Sequence, residues 1–202
     1  SKTNNQSVSY TYGGGGSASV GKQTSKSHNE SLTNVNSTVD LNTVSGSLNK
    51  LNIQGGEVSI ADRGDIKVNQ IHVESIQDTA SGNSSSKGGS VGVGIGSGGG
   101  NVTASYNQAK GQNDKAWVNE TSKLLIGNAQ NDADLDAMGV QKVSNIGGVI
   151  ANASKNADGT LTDHGKLNYT GALELKDIQD HSSESNRGFN VSTSVGTSIK
   201  GE

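Results

Sequence analysis

From Leu32 to Thr79 the aliphatic residues fall in pairs two positions apart: Val39/Leu41, Leu51/Ile53, Val58/Ile60, Ile66/Val68 and Ile71/Val73. A spacing of two is strand periodicity, and each strand it marks is short. The pairs also return. Val39/Leu41 to Val58/Ile60, and Leu51/Ile53 to Ile71/Val73, both step by about 19 to 20 residues, the interval of a solenoid coil. With Ser, Asn, Gly and Asp between the pairs, this predicts an all-β fold wound as a parallel β-helix, each inward position stacked on its counterpart one coil earlier. Gly55-Gly56, Asp62-Arg63-Gly64 and Asn69-Gln70 are the predicted corners, where positive φ or a local side-chain turn is needed. A β-sandwich is the competing all-β architecture.

Composition matters here because it removes the usual sources of stability. Aromatic residues are 3% of the chain, with one Phe, one Trp and one Met, and there is no Pro and no Cys. Small aliphatics must therefore make the core, at roughly 1.5 to 3 kcal/mol per buried Val, Leu or Ile. No disulfide framework or thiolate metal site is possible. The net charge of −3 is mild and the lysines are scattered singly along the chain, which argues against a phosphate-binding stripe and a nucleic-acid partner. No apolar run is long enough to span a membrane as a helix, and no basic-then-apolar signal-peptide pattern is read in these residues. The chain begins at Ser1, and it is expected to be an internal piece of a longer protein.

A second pattern is glycine-laden. From Gly82 to Tyr106 the chain reads as two short strands, Ser90 to Gly96 and Asn101 to Tyr106, joined by Ser97-Gly98-Gly99-Gly100. Such strands have little to bury, so they are predicted to form a hairpin arm that projects from the coils. Ser7 to Val20 repeats the arm, with Val8 matching Val91 at the same offset by which Val35-Asn36-Ser37-Thr38 matches Val118-Asn119-Glu120-Thr121. A third copy starts at Phe189-Asn190-Val191-Ser192, and the phrases Ile76-Gln77-Asp78 and Ile178-Gln179-Asp180 precede the second and third arms. The expected organisation is one segment over 1–202: two imperfect repeats, 1–89 and 90–188, and the start of a third, 189–202.

The second body spells the coil pattern more loosely, through Trp117/Val118, Leu124/Ile126, Leu135, Val140, Val143/Ile146, Val149/Ala151, Leu167/Tyr169 and Leu173/Leu175. Asn128 to Met138 and Lys155 to His164 read as inserted or lengthened loops. Asp132, Asp134 and Asp136 alternate with Ala133, Leu135 and Ala137, which predicts an outward acidic strand face rather than a helix.

Motifs that could carry chemistry each lack an essential member. Gly94-Ile95-Gly96-Ser97-Gly98-Gly99 fits G-x-G-x-x-G, but no helix pattern follows to meet a pyrophosphate. Gly16 to Gln23 nearly fits a phosphate loop, with Gln23 where a magnesium-binding hydroxyl belongs. Asn156-Ala157-Asp158-Gly159-Thr160-Leu161 resembles half a calcium loop, but Gly165 occupies the position of the required Glu, so a tight Asp-Gly turn is expected. His28, His72, His164 and His181 have no metal-ligand spacing and read as solvated or edge histidines. Asp62 and Asp65 share a corner with Arg63, and the other arginine is Arg187, too sparse a set for sugar-cleaving chemistry, although a β-helical polysaccharide-degrading enzyme remains a rival class. No catalytic, metal or cofactor residue is assigned and binding residues are unknown. Sequons such as those at Asn36 and Asn119 leave glycosylation open.

Leu51-Asn52-Ile53-Gln54-Gly55-Gly56-Glu57-Val58, then Gly64-Asp65-Ile66-Lys67-Val68, then Val73-Glu74-Ser75-Ile76-Gln77-Asp78-Thr79, resembles the haemagglutinin repeat of filamentous-haemagglutinin-like exoproteins. The glycine arm spelled SVGVGIGSGGG and the VNET after it resemble the same repeat, while 128–165 departs from it. The resemblance implies a right-handed β-helical stalk, secreted to the Gram-negative cell surface by an outer-membrane partner transporter. It implies either a contact-dependent growth-inhibition exoprotein, whose repeats engage the target cell's outer membrane and present a toxin, or a plain adhesin or haemolysin. Neither implies a cofactor. The IQD phrase and paired arms favour the first.

Overall fold

A computed structural model describes residues 1–12, 15–96, 99–127 and 133–198. Among them there is no helix, and the chain is all-β. The strands in order are β1 Lys2–Tyr12, β2 Gly15–Leu32, β3 Ser37–Thr43, β4 Ser47–Gln54, β5 Gly56–Asp62, β6 Lys67–Glu74, β7 Asp78–Gly96 and β8 Gly99–Trp117. There follow β9 Lys123–Ile126, β10 Ala133–Asp134, β11 Lys142–Ile146, β12 Val149–Lys155, β13 Leu161–Gly165, β14 Leu167–Asn168, β15 Ala172–Lys176 and β16 His181–Ser198. They divide into two compact units, one of 1–31, 80–115 and 182–202, the other of 32–79 and 116–181.

The second unit contains two parallel ladders whose strands alternate along the chain. One is β3-β5-β9-β12 and the other β4-β6-β11-β15, so each passage of the chain supplies a strand to one and then to the other. The recurrence of aliphatic pairs is expressed as register. Val39 lies opposite Val58, Val58 opposite Leu124, and Leu124 opposite Ile150. Leu51, Ile71, Val143 and Leu173 make the matching row in the other ladder. Stacking like on like leaves Val68, Ile71, Val73, Leu124, Ile126, Leu135 and Met138 at most 1% exposed, in one cluster. A short parallel pair, β10 with β14, adds Ala133 to that core and packs Leu167 against it. On the outermost strands the rows end in the open: Val39 is 47% exposed and Leu175 65%.

Two of the predicted corners are corners. Gly55 has φ 60° and Gly64 φ 54°, and Asp62 Oδ1 accepts from the Gly64 N–H at 3.1 Å. Asn69-Gln70 does not break its strand. Both residues lie inside β6 and both are exposed, so the inward phase slips from Val68 to Ile71 without loss of pairing. Asn69 Nδ2 instead donates to Asn49 Oδ1 on the neighbouring strand, 3.2 Å away.

The second body differs from expectation in two places. Asp132 lies outside the described residues. The acidic strand face is cut short, because β10 ends at Asp134, whose Oδ1 accepts from the N–H groups of Asp136 and Ala137 and turns the chain. Lys155 to His164 is not a loop but the turn and return strand of a hairpin, β12 pairing antiparallel with β13. The Asp-Gly turn is present there, with Gly159 at φ 83° and Asp158 Oδ1 accepting from Thr160 N–H and Oγ1.

The other unit is one five-stranded sheet in the order β1-β2-β7-β8-β16. The arms are far longer than the two short strands expected, since β7 and β8 each run 19 residues. The sheets of the molecule are thus mixed, parallel in the ladders and antiparallel in the arms.

Candidate interaction surface

The arm sheet has two faces of opposite character, set by the period of two. The register of β1 on β2 places Val8 opposite Val20, Tyr10 opposite Ala18 and Lys2 opposite Lys26. On the next strands the glycines show the alignment. A Cβ at Gly92 would lie 3.3 Å from Ser19 Cβ and 2.9 Å from Thr103 Oγ1, and Ser90 Oγ sits 2.7 Å from Ser105 Oγ. A Cβ at Gly111 would meet Asn186 Oδ1 and Ser84 Oγ at 2.6 and 2.7 Å. Each of these contacts is on the Gly/Ser/Asn face. A side chain added at these glycines would crowd the side chains of the adjacent strands, which would have to shift to admit it.

The residues between them form the other face. Val20 and Val91 fall in one row across the sheet, Val93, Val102 and Val195 in the next, and Tyr106 and Val191 in a third. The Tyr106 and Phe189 rings lie 5.7 Å apart on this face. These side chains are open to solvent: Val8 is 79% exposed, Ile95 73% and Val195 67%. A sheet in water ordinarily hides such a face against another layer, so its exposure marks an interaction surface.

Further from the arm tips the same face becomes basic. The register that pairs Lys2 with Lys26 continues through Ser85 to Lys110 and Arg187, so four cations stand in one row across the five strands. Lys22 stands in the Tyr106–Val191 row itself, and Lys87 in the row between it and the cations. The sequence shows these lysines singly, and cross-strand pairing gathers them; the expectation that no cationic stripe exists is corrected here.

The arm roots explain the repeated phrase. Asp78 is 2% exposed and accepts from the Asn34 N–H at 2.6 Å, on the segment that follows the first arm. Asp180 does the same for Val118 N–H, 3.1 Å away, after the second arm. Ile76 lies over Gly55 and Ile178 over Gly147, both glycines at φ near 60°, and Gln77 Nε2 donates to Gln179 O at 2.9 Å. Each phrase therefore fixes one corner with its Ile, one root with its Asp, and the two phrases meet through the first Gln. Residues Asn36 and Thr121 of the two VN phrases are likewise bonded, Nδ2 to O at 3.2 Å.

Residues 1–89 match the Hemagglutinin repeat family. No curated protein and no solved structure matches the chain. The match covers the first arm, the first body and the start of the second arm, and it supports a filamentous-haemagglutinin-like adhesin or stalk.

Within and beyond the matched residues 1–89, the tempting motifs fall in places unsuited to their chemistry. Gly16 to Gln23 lies wholly inside β2. Gly94, Ile95 and Gly96 end β7 and Gly99 begins β8, so the G-x-G-x-x-G pattern is an arm tip, with Ser97 and Gly98 outside the described residues. No group of metal-ligating side chains comes together among the described residues. Asp62, Arg63 and Asp65 remain at their corner. Of the histidines, His28 meets Glu30 at 2.8 Å in the open, and His72 meets Glu74 at 3.1 Å. Hydrogen bonds from Gln54 and then His72 hold the Glu74 carboxyl below its usual range. His164 Nε2 sits 2.7 Å from Ser154 Oγ across the β12–β13 hairpin, with no carboxylate orienting the ring among the described residues, so the pair lacks the third member of a hydrolytic triad.

One ionic cluster is well formed. Glu57 is bracketed by Lys123 at 3.2 Å on the adjacent ladder strand and Lys155 at 2.7 Å on the strand beyond it. Burial pushes its carboxyl up, but the hydrogen bonds and charges of the two lysines outweigh burial and hold it below the ordinary value. This ties β5, β9 and β12 together on the outer side of the ladder and is structural.

Proposed function

We propose that residues 1–202 form one hemagglutinin-repeat segment, of repeats 1–89 and 90–188 and the start of another at 189–202, with its ladders wound as a right-handed parallel β-helix. The segment is a non-catalytic stalk of a secreted, cell-surface exoprotein of the contact-dependent growth-inhibition kind, exported by an outer-membrane partner transporter. It holds a distal toxin toward a neighbouring bacterium and engages that cell's outer membrane through its arms. The observation that carries this reading is the exposed apolar face of the five-stranded arm sheet, which a pure spacer has no reason to maintain.

The same exposed face serves attachment in a plain adhesin or haemolysin, the second reading. A toxin encoded downstream, followed by a small immunity gene, separates the two. The function itself is tested by replacing Lys87 to Tyr106 with a short Gly-Ser linker in the full exoprotein. The expected result is normal secretion and unchanged melting with loss of delivery or adhesion; retained delivery, or collapse of the fold, overturns the reading.

A further inference from the structure

The cation row has a cost that the fold itself does not repay. Lys2 and Lys26 stand directly opposite each other, and like charges so placed destabilise a strand pair. None of Lys2, Lys22, Lys26, Lys87, Lys110 and Arg187 makes an ion pair among the described residues. The carboxylates on that face, Glu30 and Asp114, lie further toward the arm roots, beside His28 and Gln112. Glu184 and Lys115 are on the Gly/Ser/Asn face. Between Lys110 and Arg187 there is an open trough of about 460 Å³, lined also by Asn83, Ser85, Gln112 and Ser185. Two cations flank it and four neutral donors and acceptors line it, a chemistry suited to a phosphate monoester or diester.

We propose that the basic half of this face binds the phosphate headgroups of an anionic lipid surface while the valine rows nearer the arm tips enter the acyl boundary. This rests on the membrane-engaging reading above and names its partner: a phosphate-bearing lipid, held by the Lys2–Lys26–Lys110–Arg187 row. Charge complementarity selects the occupant. A second copy of the sheet would set one cation row against another or bury it, and a soluble polyanion would leave Val91, Val93 and Val102, further along the same face, in water. A lipid surface satisfies both halves at once, as apolar faces bordered by Lys and Arg do elsewhere.

The test uses the whole chain with phosphatidylcholine vesicles, with and without phosphatidylglycerol, followed by flotation. The expected result is association only with the anionic vesicles, weakened at high salt. Lys2→Gln, Lys26→Gln, Lys110→Gln and Arg187→Gln together should lower it by on the order of 1,000-fold, with a melting temperature equal to or above that of the native chain because repulsion is relieved. Val93→Ser with Val102→Ser should weaken binding further at high salt than at low salt. Equal binding to both vesicles, or no loss in the quadruple variant, overturns the cation row as the contact while leaving membrane engagement intact. Absence of vesicle binding together with a dimer broken by the valine replacements overturns the proposal in favour of a second copy. The arm-replacement experiment judges the parent reading independently, since it reads delivery and not lipid.

Discussion

The ladders and the arm sheet are built from the same strand periodicity, yet they dispose of their apolar residues in opposite ways. In the ladders, Val73, Leu124 and Ile126 are fully buried because each stacks on the strand before it and faces a second ladder. In the arms, Val8, Val91 and Val195 are spaced just as regularly but have no second layer over them and stay more than half exposed. Periodicity thus decides which side chains share a face, and a second layer decides whether that face becomes core. The ladders carry stability; the arms carry a surface.

The sharpest way to break this contrast is to make equivalent truncations in both. Leu124→Ala removes buried atoms from a row that cannot collapse, and should cost about 2–5 kcal/mol in denaturant melts. Val91→Ala in the arm should stay within about 0.5 kcal/mol. Similar losses at the two sites would erase the distinction.

The roots come next, because they lie where an arm leaves a ladder. Asp78→Ala removes the acceptor for Asn34 N–H and Nδ2 in a buried setting and should cost about 1–3 kcal/mol. Asp180→Ala, at an exposed root with one bond to Val118, should cost less. The reverse order would show that the two phrases do different work. Gly147→Ala forces a side chain into positive φ beneath Ile178 and should cost about 1–3 kcal/mol. Gly16→Ala, in an arm strand with open space around it, should be nearly silent.

A smaller effect sharpens the comparison by pH. Because Glu57 is held below its ordinary value in the folded state, its contribution is complete above the unfolded value and is lost as pH falls through the lowered folded value. Glu57→Gln should therefore flatten the acid limb of the melting profile. An unchanged acid limb would mean that the two lysines do not act on this carboxylate.

Much of the ladder half was legible in the sequence because its signals are local. Val39/Leu41 and Val58/Ile60 announce both strand and coil step, and Gly55 and Gly64 announce their corners through the conformation they must adopt. Asn69-Gln70 misled because two outward polar residues in succession look like a turn but also fit a phase slip within one strand. The arm half was legible only as a repeat. Lys2, Lys26, Lys110 and Arg187 are brought into one row through four successive strand registers, and no local pattern states those offsets. The pairing of arms with one another, and the work of Asp78 and Asp180 at the roots, are long-range in the same sense.

The central claim, that stability resides in the stacked ladders and not in the arms, is tested most directly by native-state hydrogen exchange. Amides of β5, β6, β9 and β11 are predicted to exchange only through global unfolding, while those between Ser90 and Tyr106 exchange by local opening at lower free energy. Arm amides as slow as those of the ladders, or slower, would contradict the account.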